Sequence, residues 1–305
     1  MNAEAVPIYT AQAGALSGAD SEMFSGPTPV TASAGALQTF SVSGLPARWE
    51  GEATAHAGAG FLRGSSHTLV NIENHQASLG SGTRAGGSHA VMNIDDMIIS
   101  GAGTTIDTVL HLTLTGNLAA SAIFHNALGG SGSYAEVAIS ISTPGGGGSG
   151  GARLGAAARA VGAPPPPPDN SLNLTNSGLL TGYGGGLLNL AIPLTALPLN
   201  SFFSISLGLD TTTLATYNVG GTGPNPVPII AEAFSSFGHT FSFALDGPVF
   251  DLPVGYTVNS VAGDIENNSF VGLQAGPEPQ SVPEPMTLSL LGAGLAGIGI
   301  ARRRV

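Results

Sequence analysis

The chain has 305 residues, with 8 basic residues, all Arg, against 19 acidic ones, for a formal net charge of −11. Without Lys, and with five scattered Arg before a closing group of three, it lacks the clustered cations that neutralise phosphates, which argues against nucleic acid as a partner. A hydrophobic share of 42% with only 9% charged residues argues against a disordered chain, and the absence of Cys removes disulfides and thiolate metal sites.

From the N-terminus onward, period-two alternation of apolar and polar residues recurs while helical periodicity is nearly absent. It is seen in Leu37–Val42, His111–Thr115, Ala135–Ser142, Phe203–Leu207 and Thr240–Leu245. Each run is short and bounded by Gly, Pro or Asn, with one apolar face and one Ser/Thr-rich face. That pattern predicts antiparallel strands in an all-β, jelly-roll-like β-sandwich. Between Pro144 and Asn170 the alternation breaks into Gly-rich, Ala-rich and polyproline stretches. This 144–170 segment is expected to be a long loop inserted into one domain, with an interdomain linker as the alternative. Its Arg153–Val161 piece is long enough for two marginal helical turns.

The chemistry-bearing residues give weak signals. Six of the seven His (His56, His67, His75, His89, His111 and His125) lie in the first half, with Asp95, Asp96 and Asp107 among them. A His-based Zn or Cu site is conceivable, but the spacings fit no recurrent ligand pattern, and hydrogen-bonded or exposed His is the expectation. Glu50/Glu52 and Asp95/Asp96 are the candidate carboxylate pairs for glycoside hydrolysis. Adjacent residues point to opposite faces of a strand, which argues against Asp95/Asp96. The surrounding Gly and Ala residues predict a loop at Glu50/Glu52. Gly80-Ser81-Gly82 and Gly130-Ser131-Gly132 read as turns rather than nucleophile elbows. Asp264/Glu266 is a weak calcium candidate. Asn173-Leu174-Thr175 and Asn267-Asn268-Ser269 match an N-glycosylation pattern of low value here. Trp49, Tyr134, Tyr183, Tyr217 and Tyr256 could stack on sugar rings but read more simply as core or strand-edge residues.

The last 24 residues differ from everything before them. Val282-Pro283-Glu284-Pro285 precedes an uncharged run from Met286 to Ala301, and Arg302-Arg303-Arg304-Val305 ends the chain. As a helix the run would span roughly 24 Å, short of a hydrocarbon core about 30 Å thick. Gly292, Gly294, Gly297 and Gly299 lower its helix propensity and provide small-residue packing faces. Three Arg after an apolar run predict a stop-transfer signal with a cytoplasmic C-terminus. Pro283 and Pro285 would hold the chain extended at the membrane boundary, a geometry suited to a membrane-embedded protease.

In order, spacing and composition, this segment resembles the PEP-CTERM sorting signal of Gram-negative bacteria. The resemblance implies recognition of Pro283, Glu284 and Pro285 by an exosortase, a multipass membrane protease-like enzyme. Phe241-Ser242-Phe243, the stretch Phe250 to Ser260, and Ile265 to Phe270 resemble the membrane-proximal part of many such proteins. There a strand, a Pro/Gly turn, a strand over Tyr256–Val261, another turn and a last short strand are expected. The expected organisation is an ectodomain over residues 1–281 and a sorting or transmembrane helix over 282–305. The resemblance also implies a signal peptide. The chain has no basic residue before Arg48 and no apolar run there, so a leader is expected upstream. The function it implies is a cell-surface or extracellular-matrix protein of structural or adhesive type. No catalysis and no cofactor are expected, and exopolysaccharide is a possible partner. The alternative is a carbohydrate-binding or polysaccharide-hydrolysing ectodomain delivered by the same tail.

Overall fold

In the computed structural model, the described residues are 8–15, 20–42, 45–75, 80–123, 129–143, 148–161, 186–219 and 227–272. They fold as strands joined by turns, with no helix among them.

Two large antiparallel sheets account for most of the chain. The first has the order β2 (Asp20–Gly26), β1 (Ile8–Ala15), β6 (Gly80–Ser100), β11 (Phe202–Val219), β8 (Gly129–Thr143), β9 (Gly148–Val161), and β13 (Thr257–Asn259) also pairs with β6. The second has the order β10 (Gly186–Pro198), β7 (Thr105–Ile123), β12 (Val227–Phe243), β5 (Phe61–His75), β4 (Leu45–Gly58), β3 (Val30–Val42). A small ribbon of β14 (Ile265–Glu266) and β15 (Ser269–Phe270) follows. At about 3.3 Å per residue, the 21 residues of β6 reach roughly 70 Å.

Four of the alternating runs lie wholly on strands β3, β7, β8 and β11, and Thr240–Leu245 lies on β12 as far as Phe243. Apolar residues of the runs on β7, β8, β11 and β12 meet in one large cluster that draws on both sheets, whereas Leu37 of the β3 run is exposed. Leu110, Leu112, Leu114, Phe237, Phe241 and Phe243 come from the second sheet, and Met92, Ile94, Ile205, Leu207 and Leu209 from the first. A second, smaller cluster gathers Trp49, Val70, Ile72, Ala215, Tyr217 and Ala231, with Trp49 and Tyr217 ring centroids 5.7 Å apart. A third set of buried residues is polar: Ser66, Thr68, Ser88, Thr211 and Thr213. The Thr68 and Thr213 hydroxyls hydrogen-bond from one sheet to the other at 2.9 Å, and Ser88 bonds Thr211 at 2.7 Å.

Four expectations need correction. The segment 144–170 is not a loop throughout, because Gly148–Val161 is strand β9, paired along its length with β8. Small residues give a strand as readily as a linker when a partner strand satisfies their backbone groups. The helical turns expected at Arg153–Val161 are part of the same strand, and the rest of 144–170 lies outside the described residues, apart from β9. The Gly-rich Gly80-Ser81-Gly82 and Gly130-Ser131-Gly132 belong to β6 and β8 rather than to turns. Glu50 and Glu52 lie on β4, not on a loop, and Ala53, Ala55 and Ala57 beyond them are buried in alternation. There glycine and alanine serve as core residues of closely approaching sheets. A side chain at Gly64 would place its Cβ 2.7 Å from Ser88 Oγ, on a strand of the opposite sheet.

The last part of the body follows the expected strand–turn order. β12 leaves the sheet after Phe243, and Val249–Asp251 returns beside β7, with His111 N–H donating to Val249 O at 2.8 Å and Asp251 N–H to Val109 O at 3.0 Å. β13 covers the centre of the strand expected at Tyr256–Val261, and β15 is the last short strand.

Candidate functional site

The departure and return of the chain between Phe243 and Val249 lifts Leu245–Pro248 off the sheet. Between this excursion and the outer surface of β7 and β10 lies a cleft of about 400 Å³. Its polar lining includes His111, Asn189, Asp246 and Asp251, and its apolar lining includes Leu187 and Leu245, both largely exposed. His111 Nε2 donates to Asp251 Oδ1 at 2.9 Å, so the strand return that forms the cleft also orients the imidazole. The buried Thr113 hydroxyl hydrogen-bonds Ser242 Oγ at 3.0 Å. The cleft can hold a small polar molecule between an oriented His, two carboxylates and an amide.

The other described His residues are engaged singly on neighbouring strands. His67 bonds Glu232 at 2.9 Å across β5 and β12, and His89 bonds Asp210 at 2.5 Å across β6 and β11. His56 Nδ1 bonds Thr31 Oγ1 at 2.6 Å and its ring stacks on Phe61 at 5.3 Å. The hydrogen bond that His89 donates to Asp210 raises its pKa above the usual imidazole value, against burial, which lowers it. Burial, with the nearby Arg63 charge second, lowers that of His56. The Glu232 carboxyl is lowered, mainly by its hydrogen bond with His67. Among the described residues no three His, Asp or Glu side chains converge as a metal site would need. The side chains of His75 and His125 lie outside the description.

The carboxylate pairs differ: Glu50 and Glu52 share the outward face of β4, while Asp95 and Asp96 diverge. Glu50 pairs with Arg48 of its own strand at 3.1 Å. Asp96 accepts from Ser260 Oγ at 2.5 Å and from the Val261 and Ala262 N–H groups at 2.8 and 2.9 Å, while Asp95 is exposed. Asp96 thus closes the turn after β13, a role that spacing alone did not reveal, because its partners lie more than 160 residues away. Asp264 shapes the following turn with φ 49°, and its carboxyl pKa is raised by burial and then by the Glu266 charge. Trp49 and Tyr217 are buried, and the Tyr256 hydroxyl donates to Ala102 O at 2.6 Å, while Tyr183 and the Tyr134 side chain lie outside the description. The sequence reasoning missed the cleft. Its one signal was the Asp246-Gly247-Pro248 break after the alternating run Thr240–Leu245.

The sorting residues Pro283, Glu284 and Pro285, the apolar run 286–301, and Arg302, Arg303 and Arg304 lie outside the described residues, as does the helix expected there. Among the described residues no helix is long and apolar enough to cross a membrane. Residues 281–304 match the family model described as the PEP-CTERM protein-sorting motif. No curated protein and no solved structure matches the chain. The molecule therefore joins an all-β body to a sorting tail. It is a PEP-CTERM domain-containing protein, whose tail directs exosortase-targeted sorting of a membrane-anchored precursor to the cell surface.

Proposed function

We propose that the delivered body is a structural or adhesive component of the cell surface or extracellular matrix, in contact with exopolysaccharide and without catalysis of its own. The observation carrying this reading is the way its charged side chains are used. His67–Glu232, His89–Asp210 and His111–Asp251 each hold neighbouring segments of the sheets together, and Arg48 pairs with Glu50 along β4. The two sheets form a jelly-roll-like sandwich, a reading supported by their shared apolar cluster and the Thr68–Thr213 bond between them. Pro283, Glu284 and Pro285 carry recognition by the exosortase. The 286–301 run resides in the inner membrane as a helix until processing, and Arg302–Arg304 hold the C-terminus cytoplasmic.

The second reading, a saccharide-binding or hydrolysing body, draws on Asp246 and Asp251 lining one cleft. Glycosidase carboxylates sit about 5 to 10 Å apart across a scissile bond. Among the described residues no Phe, Tyr or Trp lines this cleft to stack on a sugar.

The test follows the tail. In a host with the enzyme, Glu284→Ala should leave the precursor uncleaved in the membrane fraction, while the parent appears at the surface or in the matrix. Equal processing of both would remove the sorting role of the tripeptide. Release of the parent body into the medium, with no retention by surface or matrix, would overturn the structural reading while leaving the sorting role intact.

A further inference from the structure

Among the described residues the sheets end in four strands: β2 and β9 in the first, β10 and β3 in the second. An exposed strand edge is a template for pairing with another chain, and proteins blunt it with charges or prolines. β2 carries Asp20 and Glu22, β9 carries Arg153 and Arg159, and β10 carries Pro193 and Pro198. β3 has neither device. Its 13 residues, VTASAGALQTFSV, contain no charge and no proline.

The charges that guard β3 come from another strand. β2 pairs with β1 so that Asp20, Glu22 and Phe24 face Ala15, Ala13 and Ala11, which point into the core. Asp20 and Glu22 therefore reach toward the second sheet. Asp20 Oδ2 accepts from the Gly35 N–H at 2.9 Å, and Glu22 Oε2 accepts from the Ser33 N–H at 3.0 Å. These amides are on the free side of β3, since its other side is paired continuously with β4. By the two-residue period, the Leu37 N–H faces the same way, and Leu37 itself is 64% exposed.

We propose that β2 is a gate on the β3 edge, and that opening it lets two copies of the chain join through antiparallel pairing of β3 with β3. A second copy is the fitting occupant. A strand edge meeting itself about a two-fold axis is self-complementary and closes as a dimer. β3 brings no like charges into register, and the carboxylates standing in the way belong to β2. The union would extend the six-stranded sheet across the dimer. This assembly is independent of the sorting tail.

The test compares the full chain with its Asp20→Ala/Glu22→Ala variant, both in mild detergent, by sedimentation velocity over a concentration series. The variant should dimerise with an association constant at least about tenfold above the parent. Adding Leu37→Pro, which deletes an outward N–H beyond the gate, should return it to the parental value. An unchanged constant with retained strand circular dichroism overturns the proposal, as does dimerisation that survives the proline. Should the double variant fail to fold, amide exchange in the parent decides. Ser33 and Gly35 should exchange at least about tenfold slower than Leu37, and equal rates would overturn the gate.

Discussion

Around Phe237, Phe241 and Phe243 the two sheets are held together by large side chains, whereas around Ser66, Thr68, Ser88, Thr211 and Thr213 they meet through hydroxyls and bare backbone. The first region draws its stability from apolar area, about 25 cal/mol per Å² removed from water. The second buries little of it and depends on the Thr68–Thr213 and Ser88–Thr211 hydroxyl pairs, since an unmade buried hydrogen bond, such as that of the Ser66 hydroxyl, costs more than a made one contributes. The difference teaches that side-chain volume sets how closely the sheets approach. In the polar belt a Cβ at Gly64 would lie 2.7 Å from Ser88 Oγ, so something must shift, and one at Gly86 would lie 3.0 Å from Thr68 Oγ1, a tight approach.

The contrast can be broken from either side. Phe241→Ala, at a fully buried position, should lower stability most, by about 3–5 kcal/mol in denaturant unfolding, because the cavity adds to the lost transfer energy. Gly64→Val should cost about 1–3 kcal/mol by overpacking. If it cost nothing, the belt would not be closely packed. Thr213→Val leaves the Thr68 hydroxyl without its partner across the sheets and should cost about 1–3 kcal/mol, while the double change to Val at both positions should recover part of that loss. A double-mutant cycle without coupling would show that the belt is held by packing alone.

The smallest expected effect lies outside the core. His89 has a folded pKa above its unfolded value of about 6.5, so its contribution is complete below that value and is lost as pH rises through the folded one. The pair is more than two-fifths exposed, so solvent screening limits the effect to below about 1 kcal/mol. The gap in melting temperature between the parent and His89→Gln should narrow from about pH 5.5 to about pH 8.5.

The same contrast explains what could be read from the sequence. Alternation announced the strands where large residues face the core, as in His111–Thr115 of β7 and Thr240–Leu245, which β12 covers to Phe243. It failed where the core is made of Ala, Gly, Ser and Thr. Ala53, Ala55 and Ala57 alternate as faithfully as any Leu, but a small-residue core face looks like a loop when only hydropathy is read. Gly80-Ser81-Gly82 and Gly148–Val161 misled for a related reason, since glycine marks close backbone approach as well as turns. The sorting tail was legible because its information is linear, in a tripeptide, an apolar run and three Arg. The His111–Asp251 cleft was not, because its two halves are 140 residues apart and meet through a strand return.

That separation has a kinetic side. β6 lies between β1 and β11, and its Ala90 pairs with Ala11 on one flank and with Leu209 on the other. No stretch of the first 200 residues supplies both neighbours, so the centre of the first sheet closes only after β11 is available. Closing such distant loops before any contact rewards them makes folding slow. The body should therefore acquire its order in a late, concerted step rather than strand by strand from the N-terminus.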